Sequence, residues 1–105
     1  MLARTWHGAV PAEKADAYHD YLLRTGVPGY RGTPGNLGVF LLRRVEDGLA
    51  HFLLLTLWDS WEAIGRFAGP DPERAHYYPE DADFLVELEP TVTHYEVLDV
   101  PAESY

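Results

Sequence analysis

The chain predicts an α+β fold: one antiparallel sheet with two helices on a single face, in the order β-α-β-β-α-β. Three observations predict it. The stretch from Ala50 to Ala68, AHFLLLTLWDSWEAIGRFA, runs from an apolar strand through a polar corner into an amphipathic helix. Just upstream, Asp47-Gly48 is a two-residue hairpin turn that ties a preceding strand to this unit. A length of 105 residues with 47% hydrophobic content suits one modest core, so residues 1–105 are expected to form a single domain.

Residues Leu2 to Val10 read as the first strand, with Trp6 and His7 on opposite faces because side chains alternate along a strand. Pro11 opens a helix where its missing N–H is not needed. Ala15, Tyr18, His19, Leu22 and Leu23 then follow helical spacing. Gly26 is placed as a left-handed cap, and Pro28 as the residue that forbids continuation. Val27 to Asn36, rich in glycine and proline, reads as a loop with Tyr30 packing inward. Leu37 to Glu46 is the second strand.

The third strand, Phe52 to Trp58, is apolar in both registers and so reads as buried on both faces. Asp59 with Glu62 matches the carboxylate form of a capping box, and Ser60 is the competing N-cap. The helix from Trp61 to Ala68 turns Trp61, Ile64, Phe67 and Ala68 toward the sheet and stops at Gly69-Pro70. Asp71-Pro72-Glu73 restarts a short helix to about Tyr77, Pro79 to Asp83 is an acidic connector, and Phe84 to Leu88 is open between helix and strand. Thr91 to Val100 is the last strand and PAESY a tail. This order is the split βαβ, ferredoxin-like arrangement. Its second sheet face has no cover within the chain yet is apolar here, which points to a homodimer packed sheet on sheet.

Composition excludes several classes of function. Eight basic against seventeen acidic residues give a net charge of −9, which repels nucleic acid and anionic membranes. Arg43-Arg44 is the sole adjacent basic pair and reads as a solvated strand end. Cysteine is absent, so disulfides, thiolate metal sites and cysteine nucleophiles are ruled out. No apolar run is long enough to span a membrane and no signal-peptide pattern opens the chain, so a cytoplasmic location is expected. No phosphate loop, serine elbow or paired-carboxylate motif is present, and histidines lack ligand spacing, so no metal is expected.

The candidate chemistry lies in histidines and aromatics. His7 and His94 fall on strands expected to be neighbours, so the two can lie close. His94, in TVTHYEV, is either a strand histidine bonded to a neighbour or a general base. His76, in RAHYYP, sits in an irregular segment of the kind that carries sites. His19 and His51 read as structural or solvated. Trp6, Trp58, Trp61, Tyr77 and Tyr78 either fill the core or line a pocket for a flat apolar ligand, with Trp58 and Trp61 flanking the end of the helix–sheet layer. Arg4 shares a strand face with Trp6. It either pairs with a carboxylate or holds a ligand carboxylate, phenolate or enolate.

LWDSWEAIGRFAG, PERAHYYPED and VTHYEV, with RTWHGAVPAEKADAYHDYL and GNLGVFLLRR, resemble the antibiotic biosynthesis monooxygenase family over nearly the whole chain, in its small stand-alone bacterial form. The resemblance implies a dimeric α/β barrel of two ferredoxin-like sheets, with a pocket between helices and sheet in each subunit. It implies a monooxygenase-like homodimer, with cofactor-free oxidation of a small aromatic, phenolic or quinol substrate as the leading activity. A non-enzymatic small-molecule-binding dimer is the alternative. Under that reading His94, His76 and Arg4 carry the chemistry, and Trp6, Trp58, Trp61, Phe67 and Tyr77 bind the substrate. The family's haem degraders use an Asn on the first strand, a Trp on the second helix and a His beyond it. Here RTWHGAV has no Asn and Phe67 stands at the Trp position, so only His76 matches.

Overall fold

The structure is a computed structural model and describes residues 1–100, so the PAESY tail lies outside it. Its elements are β1 (Leu2–Pro11), a 3-10 turn (Ala12–Lys14), α1 (Ala15–Arg24), α2 (Gly26–Arg31), β2 (Asn36–Glu46), β3 (Leu49–Trp58), α3 (Trp61–Ala68), α4 (Asp81–Phe84) and β4 (Thr93–Glu96). The strands form one antiparallel sheet in the order β2-β3-β1-β4. This is the ferredoxin-like order expected from the sequence.

The hairpin works as its residues dictate. Asp47 and Gly48 both take positive φ, 53° and 79°, the combination whose twist matches paired strands. Along β3, Ala50, Phe52, Leu54, Thr56 and Trp58 are buried under the helices. Leu49, His51, Leu53, Leu55 and Leu57 alternate with them and stay half-buried. The apolar run therefore belongs to a strand whose second face is uncovered within one chain. Register places Phe40 and Leu42 of β2 and Tyr95 of β4 on that same open face, at 52%, 46% and 56% exposure. Leu41 is the leucine turned toward the helices.

Ser60, not Asp59, caps α3: its hydroxyl accepts from the Ala63 N–H at 3.1 Å, while the Asp59 carboxylate accepts from the Ser60 hydroxyl. Ala63 and Ile64 are fully buried and Phe67 packs against the core, but Trp61, at the first helical position, points outward. Helix α1 is rotated from the expected stripe. Ala15, Tyr18, Tyr21 and Leu22 are buried, whereas His19 and Leu23 are exposed. Tyr21 displaces them because its ring stacks with Tyr18 and Phe84 in the core.

Several boundaries differ from the expectation. Gly26 is not a left-handed cap. The chain turns at Thr25, whose hydroxyl donates to the Tyr21 carbonyl at 2.7 Å, and α2 follows at once. Pro28 sits in the first turn of α2, where no N–H is required, so part of the expected loop is helical. The expected helix over 71–77 does not form. Instead Arg74 bridges Thr91, the Ala75 N–H donates to the Pro90 carbonyl and the Val92 N–H to the Glu73 carbonyl. Pairing with the chain before β4 satisfies the backbone that a local helix would otherwise have served. The acidic connector winds into α4, because buried Asp81 accepts from the Tyr78 N–H at 2.6 Å and from the Tyr18 hydroxyl at 2.8 Å. The last strand is shorter than expected, ending at Glu96.

Candidate functional site

Arg4 and His94 are direct cross-strand partners, so their side chains rise from the helix-covered face side by side. Trp6 follows Arg4 by two positions on β1 and shares that face. His7 has the opposite parity. It lies on the open face, bonded to Glu89 at 2.6 Å and to His51 at 3.0 Å, and is not near His94. The expected closeness of the two histidines fails because neighbouring strands bring together only residues of matching parity.

Arg4 is 1% exposed. Its donors reach only neutral acceptors: the Tyr30 hydroxyl at 3.4 Å, the Arg74 carbonyl at 3.2 Å and the Pro72 carbonyl at 3.5 Å. The guanidinium lies 5.6 Å from the Phe67 ring centroid. Among the described residues the ion pairs are His7–Glu89, Arg43–Asp16 and Arg44–Glu46, and Arg4 belongs to none of them. Its Nε is buried with no hydrogen-bond partner among the described residues. Burial pulls the Arg4 pKa below its ordinary value, opposed by Tyr30. Even so the group keeps its charge, since guanidinium is not deprotonated in proteins.

The His94 Nε2 is likewise buried and without a partner among the described residues. Burial and the adjacent Arg4 cation lower the His94 pKa, with Glu73 opposing them. The imidazole is therefore neutral at pH 7, as a proton acceptor must be. Tyr30, in contrast, has its pKa raised by burial, so its phenol stays protonated.

Aromatic rings wall this pair. Tyr30 stacks on Phe67 at 4.2 Å and meets Trp58 edge-on at 6.3 Å. The Trp58 indole N–H is satisfied by the Thr56 hydroxyl at 2.8 Å, which fixes the ring. Trp61 is 54% exposed and leans over His94, with centroids 4.9 Å apart. His76 is exposed and sits over Phe67 at 5.4 Å and Tyr78 at 5.0 Å. Gly29 makes room for Tyr78, since a Cβ there would meet its hydroxyl at 2.6 Å. Tyr77 is set back from Arg4: it packs on Trp6 at 6.1 Å, and its hydroxyl donates to the Glu89 carbonyl.

Of the residues singled out from sequence, Arg4, His94, Trp58, Trp61 and Phe67 thus form one cluster. His76 covers it, and Trp6 with Tyr77 flank it. Tyr30, Tyr78, Asp81 and Thr56 complete the site. Tyr30 and Tyr78 carried a sequence signal, one as an aromatic in a glycine-rich segment and the other as a candidate pocket aromatic; Asp81 and Thr56 carried none as site residues.

The layer between helices and sheet is nearly closed. A cavity of about 10 Å3, lined in part by Trp6, Tyr30, Phe67, His76 and Tyr78, has room for roughly one water molecule. Haem does not fit this layer as it stands. Larger concavities lie elsewhere. One of about 300 Å3 is on the open sheet face beside His7, His51, Leu42 and Arg44, and one of about 270 Å3 runs along Ala68, Pro70, Arg74 and His76. Neither is lined by a residue with a buried unpartnered polar atom, in contrast to the Arg4–His94 pair. Among the described residues no three His, Asp or Glu side chains converge to hold a metal ion, and no helix is long and apolar enough to cross a membrane.

No protein-family profile and no curated protein matches the chain. Solved structures match it in shape. A Bacillus cereus protein assigned as an antibiotic biosynthesis monooxygenase superposes with a TM-score of 0.68 at 16% identity, covering 97% of both chains. One from Nitrosomonas europaea gives 0.67 at 17%, covering 94% of this chain and all (100%) of the other. A haem-degrader from Mycobacterium tuberculosis, with two haems bound in its active site, gives 0.60 at 21%, covering 96% of this chain and 100% of that one. At these identities the likeness is one of fold: the chain has the ferredoxin-like fold of antibiotic biosynthesis monooxygenase proteins over nearly its whole length.

Proposed function

We propose that this chain is a member of the antibiotic biosynthesis monooxygenase family that binds a small aromatic phenol or quinol between sheet and helices and oxidises it without a cofactor. One observation carries the reading. Among the described residues three buried side-chain nitrogens lack a hydrogen-bond partner, Arg4 Nε, His94 Nε2 and Trp6 Nε1, and all three belong to residues on the helix-covered sheet face, where Arg4 and His94 are strand partners. A folded chain rarely leaves such groups unsatisfied unless a ligand or an ordered water completes them. Arg4 with Tyr30 holds the phenolate oxygen of the substrate, and neutral His94 takes the proton lost from the ring carbon that is oxidised. Trp58, Trp61 and Phe67 contact the ring, Trp6 and Tyr77 back it, and His76 with Tyr78 close over it. Dioxygen is the oxidant: at the activated ring C–H carbon of the phenol or quinol it leaves one oxygen as the carbonyl of a quinone and the other departs as water.

The functional unit is a homodimer in this reading, because Phe40, Leu42, Leu55 and Tyr95 form an apolar open face that one chain cannot cover. The closed layer favours one second reading, a dimer that sequesters its ligand without turnover. Oxygen uptake with a panel of quinols and anthrones separates the two. Turnover that is lost in a folded His94→Ala variant supports the oxygenase, and turnover that survives that substitution removes His94 as the base. A haemin titration run alongside tests haem binding, which would show as a Soret shift abolished in His76→Ala.

A further inference from the structure

We infer that the ligand of this site is a small aromatic molecule already carrying an anionic oxygen when it binds, and that it replaces the backbone carbonyls of Pro72 and Arg74 on Arg4. The inference rests on the reading of the Arg4–His94 pair as the ligand site, but not on any turnover there.

The first ground is the balance of donors and acceptors. Arg4 offers an unused Nε–H, and its other contacts are long bonds to neutral acceptors at 3.2, 3.4 and 3.5 Å. The Tyr30 hydroxyl accepts from Arg4, and its own proton has no acceptor among the described residues. Donors thus outnumber acceptors around a buried cation that pairs with no carboxylate among the described residues. An anionic oxygen satisfies this set, because charge-assisted bonds are shorter and roughly twice as strong as neutral ones. A neutral ligand leaves the cation as uncompensated as before.

The second ground is what those carbonyls belong to. Residues 71–78 form an irregular strap between α3 and α4, in contact with the site through the Pro72 and Arg74 carbonyls on Arg4 and through His76 on Phe67. One end is pinned by Asp81, which accepts from the Tyr78 N–H and the Tyr18 hydroxyl. The other end is held by the Ala75 and Val92 amides and by Arg4. The cavity beside His76 and Tyr78 at the end of the strap holds only about 10 Å3, too little for a ring, so a ring enters this layer only if the strap yields. An anion that takes the Arg4 donors removes one of the strap's own holds. Entry and recognition therefore draw on the same guanidinium.

The net charge of −9 works against any anion at long range, so binding depends on these local donors. Salt screens the distant repulsion more than the buried contact. Affinity for the anion is expected to rise, not fall, with ionic strength.

The test uses the unaltered chain with benzoate, its neutral isostere benzamide, and inorganic phosphate, followed by calorimetry and by amide hydrogen exchange. Benzoate should bind on the order of tenfold or more tighter than benzamide, the preference expected of a desolvated charge-assisted bond. Exchange at Ala75 and Val92 should speed up roughly tenfold in the complex as the strap loses its hold on Arg4. In Arg4→Met the preference for benzoate should disappear. Equal affinity for benzamide overturns the anion requirement. Phosphate binding as tightly as benzoate overturns the aromatic part, and unchanged or slower exchange overturns the displacement of the carbonyls. If benzoate behaves as expected while no quinol consumes oxygen, the oxygenase reading falls and the anion site stands.

Discussion

Replacing Arg4 with methionine should leave the fold as stable as before or make it more stable, by up to about 2 kcal/mol. Removing a guanidinium from water costs several kcal/mol. Against that stand three bonds to neutral acceptors at 3.2 to 3.5 Å, each worth about 1 kcal/mol net. The cation over Phe67 adds about 0.5–1 kcal/mol, much of which a methionine sulfur beside the same ring recovers. Pro72 is half-buried and Arg74 exposed, so their carbonyls can turn to water. Only the buried Tyr30 hydroxyl loses a donor without replacement. The sum favours methionine slightly. Urea unfolding followed by tryptophan fluorescence measures it, with an unchanged m-value confirming that both states are comparable. A loss of more than about 3 kcal/mol, the usual effect of breaking a buried charge pair, would show that Arg4 holds the fold together and would refute its assignment to a ligand.

Three further outcomes are expected. Asp81→Ala should destabilise by about 2–4 kcal/mol, since it orphans the buried Tyr18 hydroxyl and the Tyr78 amide; Tyr18→Phe alone should cost about 1 kcal/mol, and a double-mutant cycle should show the two coupled. The lowered His94 pKa makes the unfolded chain take up that proton first as pH falls through about 6.5, so His94 contributes a decline in stability below that pH. Urea midpoints measured from neutral to mildly acidic pH should lose that part of the slope in His94→Ala. Finally, sedimentation should give a mass near twice 11.9 kDa, and paired Phe40→Glu and Leu42→Glu substitutions should return the chain to a monomer without unfolding it. A wild-type monomer at micromolar concentration would remove the argument from the open face.

The strand–corner–helix unit from Ala50 to Ala68, the Asp47-Gly48 hairpin and the β-α-β-β-α-β order were legible in the sequence because each rests on local chemistry. A turn that needs positive φ, a serine before a helix and an alternating or continuous apolar run all act within a few residues. The same locality explains the misses. Residues 71–77 carry a sound helix-start signal, yet their backbone is claimed by residues 90–92, far along the chain. Tyr21 takes the inward position expected of His19 and Leu23 because Phe84, also distant, offers it a ring to stack on.

Of the candidate site, the sequence alone determined which residues could matter: Arg4 and Trp6 on one strand face, His94 in a β-branched run, His76 in an irregular segment. Only the tertiary structure decided their company. Strand register sets Arg4 against His94 and sends His7 to the opposite face, where it meets His51 and Glu89. Neither fact has a local signature, because parity across a sheet is fixed by how distant strands align. Nor does any sequence pattern reveal that, in a chain with seventeen acidic residues, a buried arginine pairs with no carboxylate among the described residues. Charge composition counts groups, whereas desolvation and pairing depend on where the fold leaves each one.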